Sequence, residues 1–193
     1  MPLTGTPATE PAEVLQQAQT IFSLPRVPHR MECFDISNIH GKESVGSMVV
    51  FVDGRPRRSE YRRYRIKTVQ GIDDYRMMRE VVGRRYRRCL AEKTALPDLV
   101  VIDGGKGHLA AAKKELDDMA LGDLPVLSIA KQHEIIFSPK REGPYVLPAN
   151  SPVLQLIRHL RDEAHRFAIR YHRHLHRQQV LETGPAHQRK ERV

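Results

Sequence analysis

Apolar residues recur along this chain with two different periods. Residues 31–37 (Met-Glu-Cys-Phe-Asp-Ile-Ser) and 45–52 (with Val45, Val49, Val50, Phe51 and Val52) are short apolar runs of strand length. Asp53-Gly54 follows directly and marks a hairpin turn. Residues 57–67, rich in Arg and Tyr, predict a third strand, so three successive antiparallel strands are expected. The period then changes. Tyr75, Met78, Val82 and Tyr86 fall on one stripe of a helix spanning about 72–92, and core packing is the expected role of those four side chains.

Leu99-Val100-Val101-Ile102-Asp103 is a continuous apolar run of the kind a buried strand carries. Gly104-Gly105-Lys106-Gly107 is a tight loop leading into a helix from about 108 to 120. Pro125–Ala130 predicts another buried strand, and 134–148 a small hairpin in a Pro- and Gly-rich stretch. Ser151-Pro152 pairs a capping residue with a first-turn proline and opens a helix to about 177. Its apolar stripe runs through Leu154, Ile157, Leu160, Ala164, Phe167, Tyr171 and Leu175. Before all of this, Val14, Leu15, Ala18 and Ile21 suggest a short helix over 11–22, and Leu24-Pro25-Arg26-Val27-Pro28 is an extended linker. The expected organisation is a short helix and linker in 1–29, with residues 1–10 unstructured. One domain follows over 30–180, and then a polar tail over 181–193. Three antiparallel strands followed by alternating helices and strands define an α/β fold with a mixed sheet and flanking helices, the ribonuclease H-like order.

Composition narrows the partners. Of 193 residues, 32 are Lys or Arg and 23 are Asp or Glu, a formal net charge of +9. Such a balance attracts polyanions, nucleic acid first. No apolar run approaches the roughly 18 residues of a membrane span, and Glu10 and Glu13 interrupt any apolar signal core, so a cytoplasmic protein is expected. The two cysteines, Cys33 and Cys89, lie in unrelated elements and read as buried thiols. Arg55, Arg57, Arg58, Arg62, Arg63, Arg65 and Lys67 crowd the third strand with Glu60 as the one acid among them, and Tyr61 and Tyr64 interleave them. Strand alternation puts Tyr61, Arg63 and Arg65 on one face and Arg62 and Tyr64 on the other. Phosphate contact is expected there, against the alternative of a solvated face. Arg84, Arg85, Arg87 and Arg88 form a second cluster on the helix.

Two acids stand out. Asp35 is flanked by Phe34 and Ile36, and Asp103 ends Leu-Val-Val-Ile; an unpaired carboxylate is costly in either place. A turn-capping role competes for Asp103, which precedes Gly-Gly. If the two strands are neighbours the carboxylates converge and repel unless a cation joins them. Mg²⁺ or Mn²⁺ suits such oxygen ligands. His165 borders the apolar stripe of the last helix, where it is either a half-buried boundary residue or a member of a site. His172, His174 and His176 read as a basic helix end, with a metal pair at His172 and His176 as the alternative. The glycine loop is either a phosphate cradle or a tight turn; it lacks the Walker A spacing.

Four blocks carry a resemblance: Glu32-Cys33-Phe34-Asp35-Ile36-Ser37, the stretch from Ser59 to Lys67, Ile102-Asp103-Gly104-Gly105-Lys106-Gly107, and the stretch from Arg161 to Ala168. In this order they resemble the UvrC family, from about Leu24 to Arg177. The resemblance implies a ribonuclease H-like DNA endonuclease with an Asp-Asp-His triad, matched here by Asp35, Asp103 and His165. It also implies the 5′ incision in nucleotide excision repair of damaged duplex DNA, with UvrA and UvrB as partner subunits. The GIY-YIG nuclease, UvrB-binding and helix-hairpin-helix modules usual in the family are not visible, so the chain reads as an excised domain or a short homologue.

On this reading the aspartates hold Mg²⁺ or Mn²⁺ at the scissile phosphate, and His165 completes the ligands or handles a proton. Arg62, Arg63, Arg65, Lys67, Lys106 and Lys131 are the expected DNA or phosphate contacts. A DNA-binding module with little activity alone, or a small-molecule phosphate enzyme built on the glycine loop, are the rival readings.

Overall fold

The computed structural model describes the backbone of residues 10–39 and 43–182 and the side chains of residues 10–38 and 44–170. The expected terminal segments before residue 10 and after 182 lie outside the described residues. So do the side chains of Tyr171, His172, His174, Leu175 and His176.

The elements follow the expected order. Helix α1 (Pro11–Ile21) precedes strands β1 (Arg30–Ile39) and β2 (Glu43–Val52). The Asp53-Gly54 turn, with φ of 50° and 75°, leads into β3 (Arg55–Pro56). β4 (Arg62–Arg65), α2 (Asp74–Glu92), β5 (Leu99–Asp103) and α3 (Lys106–Asp118) come next. β6 (Val126–Ala130), β7 (Ile135–Phe137) and α4 (Pro152–Glu182) complete the chain. The strands form one sheet in the order β3-β2-β1-β5-β6-β7, with β4 also on β2. β1 is antiparallel to β2 and parallel to β5; β5 is parallel to β6, and β6 antiparallel to β7. The result is the mixed sheet that the periodicity predicted.

The third strand is the main departure. The span 57–67 is not one strand. β3 ends at Pro56, Arg57 adds one more backbone bond to Val50, and a 3₁₀ turn over Arg58–Glu60 then intervenes before β4. Leaving the ladder lets Tyr61 tuck beneath α4, where its hydroxyl donates to Glu163 at 3.0 Å. The expected alternation survives in β4. Tyr61 joins the cluster under α4, while Tyr64 packs on the opposite cluster.

Each face of the sheet carries its own core. Odd-numbered residues of β1 and β5 (Met31, Cys33, Leu99, Val101) meet Leu154, Ile157, Leu160 and Ala164 of α4, and Leu15 and Ala18 of α1. Even-numbered residues (Phe34, Val100, Ile102) meet Met78, Val82 and Tyr86 of α2, and Leu109 and Leu116 of α3. The period of two in a strand and of 3.6 in a helix makes this partition automatic. Cys33 and Cys89 are buried and free, as expected.

Tyr75 corrects the sequence reading. Its ring is 53% exposed, not core. It lies in the first turn of α2, where its ring packs against Gly107 and His108 of α3 instead of entering either core cluster.

Candidate active site

Strand register brings the two aspartates together. β1 and β5 are parallel neighbours, with Met31 opposite Leu99 and Cys33 opposite Val101. Two residues further along the same face stand Asp35, within β1 just past its parallel pairing with β5, and Asp103, the last residue of β5. They are only 4% and 7% exposed. α4 crosses that face, and its buried Leu160, Ala164 and Ala168 set its rotation so that His165 turns toward the pair.

One ligand atom from each of Asp35, Asp103 and His165 lies within 4.8 Å of the others. His165 Nδ1 is 3.4 Å from Asp35 Oδ2, which also accepts a hydrogen bond from Ser37 Oγ at 3.2 Å. Asp103 Oδ2 is buried and no hydrogen bond reaches it. The Lys131 ammonium, at 3.8 Å, is close enough to attract it but too far to bond it. Burial first, and then the Asp35 charge, push the Asp103 carboxyl up to about 6, against the pull of Lys131, Arg161 and His165. A buried oxygen with no donor, beside a second carboxylate and an imidazole, fits a divalent cation bound by Asp35, Asp103 and His165.

α4 is anchored beside the site by an acid that the sequence reading passed over. Glu163 is 5% exposed and accepts hydrogen bonds from Tyr61 and Arg166. Burial raises its carboxyl, but the bonds from Arg166 and Tyr61 outweigh burial and hold it below the usual range. An acid within the Leu160–Ala164–Phe167 stripe was the available sequence signal. Arg161, one turn before His165, is pinned by Asp162 at 2.7 Å and Glu134 at 3.6 Å, and it keeps positive charge near Asp103.

The other expected contacts are dispersed. Arg62, Arg63 and Arg65 lie in β4, beside β2. Arg62 donates to the carbonyls of Ser59 and Tyr61, and the Arg63 guanidinium stands 4.1 Å from the centre of the Phe167 ring. The Lys67 side chain is exposed, while its backbone N–H donates to Glu80. Lys106 lies over the Phe137 ring at 5.3 Å. Of the two lysines, Lys131 is the one that meets Asp103. The second arginine cluster is spent on acids: Arg84 pairs with Glu80, Arg85 with Glu32, Arg87 with Glu115 and Arg88 with Glu92. The glycine loop is a tight turn under steric demand. A Cβ at Gly104 would meet the His108 ring at 2.6 Å, and one at Gly107 would meet Tyr75 at 2.7 Å.

A mixed sheet whose adjacent parallel strands bring two carboxylates together, capped by an imidazole from the covering helix, defines a class. It is an α/β domain of the ribonuclease H order with a cluster suited to a divalent cation. The family described as the UvrC RNAse H endonuclease domain matches residues 19–169, and this chain belongs to it. The UvrABC system protein C of Chlorobium phaeobacteroides is 52% identical over 163 residues, covering 84% of this chain and 26% of that protein. That of Koribacter versatilis is 52% identical over 156 residues, covering 80% and 26%. The chain thus spans about a quarter of the length of these curated relatives. Endonuclease V of Ciona intestinalis, solved with a DNA containing inosine, matches with a TM-score of 0.39 and 16% identity. It covers 79% of this chain and 67% of its own. That likeness is too distant to carry an argument.

Proposed function

We propose that this chain is a metal-dependent DNA endonuclease domain that hydrolyses a phosphodiester of damaged duplex DNA, at the 5′ incision of nucleotide excision repair. The observation that carries the reading is the gathering of Asp35, Asp103 and His165 within 4.8 Å on one face of the sheet. Asp35 and Asp103 would hold the cation with His165, and the imidazole ligand favours Mn²⁺ over Mg²⁺. A divalent cation there supplies positive charge against the phosphodiester and acidifies water.

The chain's own groups do the rest. Ser37 orients Asp35 through its hydroxyl bond. Asp35, 3.4 Å from Nδ1 of His165, steadies the imidazole, whether it serves as ligand or exchanges a proton. Lys131 stands where a phosphate oxygen could exchange for Asp103 as its partner. Arg62, Arg63, Arg65, Lys67 and Lys106 are proposed to guide the strand by phosphate contact.

By the same family relationship we propose UvrA and UvrB as partner subunits of the protein in which this domain acts. We also propose a cytoplasmic setting, and 30–180 as the domain bounds. No described helix is long and apolar enough to cross a membrane.

The test is nicking of a lesion-bearing duplex by the purified chain with Mn²⁺ or Mg²⁺, alongside Asp35→Asn and binding by fluorescence anisotropy. The expected result is lost nicking with retained binding. Wild-type nicking by Asp35→Asn would overturn the assignment. DNA binding by wild type with no nicking in either metal would instead favour a binding module.

A further inference from the structure

Tyr75 is an aromatic residue that the fold holds still and leaves half-uncovered. Its ring packs edge to face on His108, with centroids 4.8 Å apart, and lies so close to Gly107 that no Cβ would fit between them. An exposed side chain free to swing would need neither contact. Holding the ring in advance removes the entropy lost when a partner arrives, which is how preorganised binding surfaces gain affinity.

Its position is as specific as its packing. The residue before it, Asp74, accepts a hydrogen bond at 3.0 Å from Asn38, three residues past Asp35 on β1. Its ring partner, His108, stands over Gly104, the residue after Asp103. His108 is half-buried, and it feels the charges of both Asp74 and Asp35. Asp74, the residue before Tyr75, therefore meets β1 just past Asp35, and the ring's partner His108 meets the residue just past Asp103. Beside it are exposed Arg76 and Ile72, the latter 77% uncovered. An uncovered aromatic ring whose chain neighbour is an exposed arginine, on residues that contact the chain just past each aspartate, offers what a nucleotide can use: a surface for a flat base and a cation for its phosphate.

We propose that Tyr75 is a base-stacking residue, backed by His108, that holds the nucleotide next to the cleaved phosphate. This rests on the endonuclease reading above. Stacking on an aromatic ring tolerates every base, which suits a site that must not read sequence. It also requires an uncovered base face, so the platform gains most from a strand that is locally unpaired.

The test uses the 193-residue chain and a duplex with a short unpaired stretch. 2-Aminopurine is placed in turn at each of the two nucleotides on either side of the mapped nick. Binding is followed in EDTA, and nicking with Mn²⁺. Wild type and Tyr75→Phe should quench 2-aminopurine at one of these positions. Tyr75→Leu should lose the quench, weaken binding about tenfold and raise KM by a similar factor, with kcat within about twofold. Thermal melting of both variants controls for folding.

Failure to quench by the wild-type protein at every position overturns the proposal, whatever the variants do. A quench and KM unchanged in Tyr75→Leu overturn it too, and leave the nuclease reading standing. Tyr75→Phe behaving like Tyr75→Leu would move the role to the hydroxyl and sink the stacking claim. Undiminished nicking by Asp35→Asn sinks the nuclease reading, while the quench still decides whether Tyr75 stacks.

Discussion

Two buried carboxylates, one on each face of the same strand pair, have opposite fates. Glu32 in β1 is fully buried on the α2 face, where Arg30 and Arg85 donate to it and the Tyr86 hydroxyl adds a bond at 3.1 Å. Asp103 in β5 is nearly as buried on the α4 face, but its Oδ2 has no donor and its nearest acid neighbour is Asp35. The first carboxylate is saturated by the protein and belongs to the architecture. The second has cations near it but no hydrogen-bond donor on its buried oxygen among the described residues. A carboxylate buried with its donors is a structural device; one buried without them, next to another, is a place for a cation.

The largest effect should come from breaking the saturated side. Glu32→Ala strands the partly buried Arg85 guanidinium, leaves Arg30 with Glu60 alone, and should destabilise the fold by about 3–5 kcal/mol. Thermal melting should fall by about 10 °C or more. A smaller change than 1 kcal/mol would mean that Glu32 is not the structural acid described. On the other side, Asp35→Asn should slow nicking by on the order of 10² to 10³, the scale of losing one fixed electrostatic group at a reacting centre. Its melting temperature should not fall with the activity.

Acidity separates the two faces further. The Asp103 carboxyl is raised from 3.8 to about 6, so between about pH 4 and 6 the folded state holds a proton that the unfolded chain has lost. The metal-free protein should therefore lose stability as pH rises through that window. Asp103→Asn should be more stable than wild type at pH 8 by about 3 kcal/mol and should flatten the slope. If Asp103 holds the proposed cation it does so ionised, so added Mn²⁺ should raise the melting temperature of wild type at pH 8 and leave Asp103→Asn unmoved. Melting curves with and without EDTA decide both points.

Smaller effects sharpen the same contrast between buried and exposed charge. Tyr61→Phe removes one of the bonds to buried Glu163 and should cost about 1 kcal/mol. Arg88→Ala breaks an exposed pair with Glu92 on α2 and should change stability by less than about 0.5 kcal/mol. Urea titration of both, with equal m-values, tests the ordering.

Much of the fold was legible along the chain, because strand and helix periods are local properties. The Leu99–Asp103 run, the Asp53-Gly54 turn and the Ser151-Pro152 helix start each carry their physics within a few residues. The break after Pro56 was not legible. Arg-Tyr alternation reads the same in a ladder as in a turn, and only the Tyr61–Glu163 bond, 102 positions apart, decides between them. Tyr75 departs from expectation for a related reason: a stripe says which face of a helix is apolar, not whether a neighbouring element covers all of it.

The candidate site divides in the same way. The acids betrayed themselves by sitting in apolar strands, where burial makes a charge expensive. Their proximity was an inference from topology, since a parallel register between strands 60 residues apart is set by packing, not by local sequence. Charge runs were the least informative feature. Arg84, Arg85, Arg87 and Arg88 look as cationic as the β4 run, yet the fold gives each an acid. Sequence alone determined most of the elements, the core faces of the main strands and helices, and the two misplaced acids, because each is a matter of short-range pattern and desolvation. Which charges meet, which oxygen goes without a donor and which ring stays uncovered were decided only in three dimensions, where partners far apart in the chain compete for the same groups.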